Sequence, residues 1–183
     1  MSNFDRIFAL EPSQRLFSVR HLDVEYEEEQ DHELTRHYKL WEDPEYLLNF
    51  YCENVEDLSA TSYYGRVGQE DFIQRTYDYA QRYRRAIDAV VASPNVADLS
   101  LLFQPLRDDE HHRLLAKVKL GGWLRIYGVR TRNDLFFIIG GAIKLNHLMS
   151  DRDHLMKQLE RMKAARRDIS KLLREGELFT LIV

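Results

Sequence analysis

The sequence predicts an α+β domain in which helices pack on a small, twisted antiparallel sheet. Three observations point there. Residues 69–92 place apolar side chains at steps of three and four, the helical period. Residues 123–144 read as two strands joined by a polar turn, the second strand almost wholly apolar. Residues 150–176 return to the helical period and end on a glycine. With 183 residues, 44% of them apolar and 11% aromatic, the chain is sized for one domain over 1–183 with a real core.

The elements follow in order. Residues 15–25 partly alternate apolar and polar positions, with Leu16, Val19 and Val24 on the apolar side, which suits an edge strand. Residues 26–33 are acidic and suit a loop or a helix start. Asp43-Pro44 opens a helix, with Asp as N-cap, Pro in the first turn and Glu45 at the positive end of the dipole. Tyr46, Leu47, Phe50, Tyr51 and Leu58 form its apolar stripe. A polar loop over 54–68 precedes the helix at 69–92, whose Phe72, Thr76, Tyr79, Tyr83, Ile87 and Val90 face inward until Ser93-Pro94-Asn95 stops it. Residues 98–106 form a short apolar connector ended by Pro105, and 107–113 a charged loop. If Arg132-Asn133 is a two-residue turn, Thr131 faces Asp134 and Arg125 lies opposite Gly140. Ser150-Asp151-Arg152-Asp153 resembles a capping box. The helix it opens buries Leu155, Leu159, Met162, Ala165, Ile169 and Leu172, and Gly176 closes it. The apolar tail, 177–183, reads as an extra strand or a docking segment.

Composition narrows the function. The longest apolar runs are far too short to span a bilayer, and the N-terminus lacks a basic stretch followed by a long apolar one. A single cysteine, Cys52, excludes an internal disulfide and a cysteine-based zinc site. A cytoplasmic protein with no membrane contact is expected. The net charge of −4 hides a division. Residues 1–103 hold ten Lys/Arg against twenty Asp/Glu, whereas 104–175 hold sixteen against nine. The acidic part, 1–97, carries the first strand and two helices; the basic part, 98–175, carries the core strands and the last helix. Such asymmetry suits a polyanionic partner, and it also suits long helices with solvated charged faces.

The candidate site is cationic. Arg125 and Arg130 interrupt an apolar strand, Lys117 and Lys119 precede it, Arg132 sits in the turn, and Lys144 follows the second strand. Alternation puts Arg125, Tyr127 and Val129 on one face. Such a face beside Gly140 suits a phosphate or a stacked base; alternatively, Gly140-Gly141 marks only the strand end. Lys117 and Lys119 suit a backbone phosphate or a solvated strand edge. His111, His112, His147 and His154 have no partners at ligand spacing, so no metal is expected. The glycines match neither a phosphate-binding loop nor a dinucleotide fingerprint, and no cofactor is expected.

The segment 98–170 resembles the RelE/HigB superfamily of toxin–antitoxin toxins, and within it the phage-derived HigB-like branch. The likeness rests on Leu102-Phe103-Gln104-Pro105-Leu106, on Lys117-Val118-Lys119, on the Leu124-Arg125, Tyr127 and Arg130 pattern, on the apolar second strand, and on Lys144 before the last helix. The resemblance implies a RelE-like fold with an elaborated N-terminal part and a concave basic surface. It implies a ribosome-associated mRNA endoribonuclease silenced by a small cognate antitoxin, expected to be a helix-turn-helix protein. Carried over by position, Lys119, Arg125, Tyr127, Arg130 and Lys144 would form the catalytic set, and Lys117, Lys119, Arg125, Arg130 and Arg132 would hold RNA. The chemistry would be metal-independent attack of a ribose 2′-hydroxyl on its adjacent phosphate, with Arg and Lys stabilising the charged phosphorane and a lysine or Tyr127 moving the proton. The alternative is a noncatalytic RelE-fold module that binds protein or RNA.

Overall fold

Strand β6 (Phe136–Ile143), the apolar second strand of the sequence, lies inside a six-stranded sheet with all eight residues buried. The computed structural model describes residues 3–59, 61–93, 95–106, 115–146 and 152–183. The other strands are β1 (Phe4–Ala9), β2 (Leu16–His21), β3 (Gln104–Pro105), β4 (Leu115–Val118) and β5 (Leu124–Arg130). The helices are α1 (Glu33–Glu42), α2 (Pro44–Glu53), α3 (Gln69–Ala92), α4 (Val96–Leu102) and α5 (Asp153–Glu175). The sheet order is β1-β2-β6-β5-β4-β3, and every pairing is antiparallel except β2 with β6. The α+β class therefore holds, in a larger sheet than expected.

Helices cover both faces. On one, Leu34, Tyr38 and Trp41 of α1 and Phe72 and Tyr83 of α3 meet Trp123, Phe136 and Ile138. On the other, Leu155, Met162 and Ile169 of α5 meet Phe17, Tyr127, Val129 and Phe137. Two-sided cover is why β6 reads as an unbroken apolar run. Trp123 stacks on Phe72 at 5.1 Å, and its indole N–H donates to the Thr76 hydroxyl at 2.8 Å. Buried indole thus keeps its polar edge satisfied.

Four expectations need correction. The strand read at 15–25 is an interior strand, because the N-terminal residues supply β1 outside it. The acidic stretch leads into α1, a helix additional to the two expected in the N-terminal part, and Lys39 of α1 ties that stretch down through Asp31 at 2.8 Å and Glu27 at 3.1 Å. The connector at 98–106 contains α4, capped by the Asn95 side chain on Asp98 N–H, and then β3. The β5–β6 register differs by two residues: Arg125 pairs with Ala142, and Gly140 with Tyr127. One residue comes from a longer turn, where Thr131 N–H donates to Leu135 O. The other comes from a bulge between Tyr127 and Gly128.

Other expectations match. Helix α3 spans 69–92, α5 buries its expected stripe with Leu159 partly covered, and Gly176 closes α5 at φ 75°. The tail continues the sheet at its outer edge, with Ile7 N–H donating to Leu181 O and Val183 N–H to Ile7 O. Pro94, the charged loop and Ser150-Asp151 lie outside the described residues, and α5 starts at Asp153 with Arg152 as an N-cap that makes no side-chain capping bond, so its start departs from the expected capping box.

Asp43 caps α2 as expected, accepting from Glu45 N–H at 2.8 Å and Tyr46 N–H at 3.3 Å. Asp43→Ala should cost about 1 kcal/mol. That corresponds to a fall in Tm of about 2–4 °C for a chain of this size, read by thermal unfolding.

Candidate functional site

The turn between β4 and β5 collects cations and aromatic rings from four separate segments. Helix α3 presents Arg75, Tyr79 and Arg82 at helical spacing along one face. Arg75 lies 4.8 Å from the Trp123 ring centre and donates to the Tyr79 hydroxyl at 3.2 Å. Arg82 donates to Leu120 O at 3.1 Å. Tyr64 stands edge-on to Trp123 at 5.3 Å, and Tyr63, 58% exposed, stands edge-on to Tyr64. Lys119 is exposed in the same turn. Lys144 N–H donates to Trp123 O at 2.7 Å, which brings the end of β6 to the same place.

Beneath this surface lies Arg125, only 7% exposed. Its NH1 donates to Gly122 O at 2.8 Å and Leu124 O at 2.5 Å. The same two carbonyls accept from the hydroxyls of Tyr64 at 2.8 Å and Tyr83 at 2.5 Å. Burial raises both phenols above their ordinary value, with Arg125 pulling the other way. Both therefore serve as hydrogen-bond donors, not bases. No carboxylate among the described residues pairs with Arg125.

The sequence-predicted cations divide between two ends of the sheet. Lys119, Arg125 and Lys144 come together at the β4–β5 turn. Arg130 and Arg132 lie at the opposite end, about 17 Å away by the five-residue rise of an antiparallel strand. Arg130 is committed to Asp134, at 2.5 Å, and covers the Phe136 ring; Arg132 is exposed in the turn. Lys117 is half-buried on β4 opposite Tyr127. Tyr127, 1% exposed, lies in the core beneath α5. The space expected over the glycines is filled: Gln158 and Glu33 cover Gly140, and Trp41 and His37 cover Gly141. Side chains at these positions would collide, so the doublet serves close packing.

A second polar cluster forms where the parallel strands part. Beyond Ser18 and Ile138 the β2–β6 ladder ends, and the chain leaves β2 for one face and β6 for the other. Such a switch point at the carboxyl ends of parallel strands is a recurrent ligand crevice. Here Glu33, 0% exposed, receives the Tyr26 hydroxyl at 2.8 Å, the His37 ring at 3.2 Å and Arg36 at 3.4 Å. His21 reaches Ile139 O at 2.8 Å. The sequence signal was available: Leu34, His37, Tyr38 and Trp41 recur at helical spacing, and Glu33 stands four residues before His37. The acidic run over 26–33, which suits a loop as well as a helix start, concealed it.

Burial alone would push the Glu33 carboxyl up, but the His37 hydrogen bond and the charges of His37, Arg36 and His21 hold it at about 2. Burial takes His32 down to about 4 against the pull of Asp31 and Glu33, and also lowers His21. Among the described residues no group of His, Cys, Asp and Glu is arranged to hold a metal, while His111, His112 and His147 lie outside them. No helix among those residues is long and apolar enough to cross a membrane.

These shifts set an acid limb with two parts. His32 is neutral in the fold, so the unfolded chain takes up the proton first and stability falls as pH drops from 6.5 to about 4. Glu33 is charged in the fold, so its contribution is complete above 4.5 and is lost as pH falls toward about 2. Glu33→Gln should remove the part contributed by Glu33 and, with its pull on His32 gone, carry the His32 part to lower pH, in urea unfolding measured against pH.

No family model, curated protein or solved structure matches the chain, so the reading of these sites rests on its own residues.

Proposed function

We propose that the chain is a RelE/HigB-like, toxin-type RNA endoribonuclease that binds RNA across the β4–β5 turn, the start of β5 and the end of β6. The observation that carries the reading is the convergence there of Arg75, Arg82, Lys119 and Arg125 with Tyr63, Tyr64 and Tyr79. Cations along a rigid edge neutralise phosphates, and exposed rings stack on unpaired bases. The chain runs through two strands, four helices, four successive antiparallel strands and a last helix, an α+β order that an elaborated domain of this kind accommodates. The reaction is 2′-hydroxyl attack on the adjacent phosphate, with Lys119 at the surface neutralising the RNA backbone and Arg125 holding the turn from beneath through Gly122 O and Leu124 O. Messenger RNA on the ribosome is the substrate, the cytoplasm is the compartment, and a small antitoxin covers the cationic surface.

A second reading, a noncatalytic RNA- or protein-binding module of the same fold, is favoured by the burial of Tyr127 and the commitment of Arg130 to Asp134. Both readings need RNA or a protein at the cationic end, and they separate on growth. Inducing the wild type should arrest growth, and Lys119→Ala with Arg125→Ala should relieve the arrest; harmless induction with RNA binding intact selects the module. In anisotropy titrations with single-stranded RNA, reversing Arg75, Arg82 and Lys119 to Glu should weaken binding at least about tenfold. The salt slope should flatten by about 0.7 for each phosphate no longer neutralised. An RNA affinity insensitive to all three reversals would sink the proposed surface.

A further inference from the structure

Beside the β2–β6 fork lies an open groove of about 700 Å³. Its floor is the Gly141–Ile143 segment with the His37 ring. One wall is Tyr46 and Phe50 of α2, and the other is His154 and Lys157 of α5. Glu53 and Asp153 share the rim with Arg36 and Arg152, so the lining is mixed in charge. Arg152 is occupied by Asp57. What distinguishes the groove is its two histidines.

Each histidine is fixed by an acceptor on one nitrogen. His37 Nε2 faces the buried Glu33 carboxylate at 3.2 Å. Glu33 is steadied from behind by the Tyr26 hydroxyl. Arg36 Nη1, which only donates, lies 3.5 Å from the same Nε2, but the Glu33 carboxylate, which only accepts, is nearer, so Nε2 of neutral His37 carries the proton and Nδ1 the lone pair. That Nδ1 takes no hydrogen bond from a described residue. A histidine oriented by a buried acid and lining a groove is the arrangement of a general base. His154 Nε2 lies 3.0 Å from Ile143 O, and its ring stands edge-on to Phe50. Gln158 Oε1 is buried at the fork with no hydrogen-bond partner among the described residues.

The groove joins the cationic surface directly. Ile143 forms part of its floor, and the next residue, Lys144, bonds Trp123 at the β4–β5 turn. Ala142, also in the lining, pairs with Arg125.

We propose, resting on the RNA reading above, that this groove takes the scissile phosphodiester of the RNA, with His37 as general base, His154 as general acid and Glu33 as the positioning residue for His37. His37 Nδ1 takes the proton of the ribose 2′-hydroxyl while the 2′-oxygen bonds to phosphorus. The bond from phosphorus to the 5′-oxygen breaks, and that oxygen leaves with a proton from His154. The products are a 2′,3′-cyclic phosphate and a 5′-hydroxyl. Lys157 on the α5 wall neutralises the phosphate, and Tyr46 and Phe50 on the α2 wall offer a face to a base.

The test pairs a small substrate with RNA binding. Uridine 3′-(4-nitrophenyl phosphate) releases 4-nitrophenolate on 2′-hydroxyl attack, and its 2′-deoxy counterpart cannot react that way. Wild type should turn over the first and spare the second. His37→Gln should lose about 100-fold or more, with Tm and RNA affinity retained. 4-Nitrophenolate leaves without a proton, so His154→Gln should lose far less on this probe than on RNA. Nitrogen-15 spectra should place the neutral His37 proton on Nε2, and Glu33→Gln should show mixed tautomers with slower turnover. RNA bound without turnover of RNA or probe, equal turnover of the deoxy compound, or full activity in His37→Gln each overturns the catalytic groove while RNA binding stands. Absence of RNA binding at low salt overturns the RNA reading itself.

Discussion

All eight residues of β6 are buried, which obliges the chain to cover both faces of the sheet and to keep a strand on each side. Nearly every other feature answers that constraint. β2 and β5 flank β6 in opposite senses, α1 and α3 close one face, and α5 closes the other. The glycine pair at 140–141 lets Gln158, Glu33, Trp41 and His37 lie directly against the strand. The sheet edges are blunted by different means. The C-terminal tail covers β1, while the far edge is a two-residue strand containing Pro105.

Burial also explains the electrostatics. Glu33 occupies the first position of α1, at the positive end of its dipole, and is sealed inside the fork. An isolated carboxylate there would be too costly to ionise. The hydrogen bonds from Tyr26 and His37 and the nearby Arg36 reverse that balance, which is why the group stays charged. The same low-exposure setting keeps His32 neutral. A charged Glu33 next to a neutral His32 marks an environment specified group by group, not by burial alone.

The cationic surface has a different origin. Two of its arginines are held by carbonyls, Arg82 on Leu120 O and Arg125 on Gly122 O and Leu124 O, while Arg75 lies over Trp123 and pairs with Asp71 at 3.5 Å. Carbonyl acceptors orient a guanidinium without neutralising it, so Arg82 keeps its charge at the surface and Arg125 keeps its charge beneath it. Arg130, by contrast, is held by the Asp134 carboxylate and is largely neutralised.

Local signals carried far in the sequence. The helical period placed α3 and α5 closely, and Asp43-Pro44 and Gly176 marked real helix ends, because period and these end signals depend on neighbours within a few residues. The apolar second strand announced two-sided burial. Register and convergence were another matter. One residue added in the turn and one at the bulge moved Arg125 from Gly140 to Ala142, and period-two alternation cannot reveal a bulge. Arg75 and Arg82 are more than thirty residues from the turn they join, and Glu33–His37 meets β6 only because two parallel strands pair and then part. Those contacts exist only once non-local pairing is set, so only the tertiary structure decided where the charges meet.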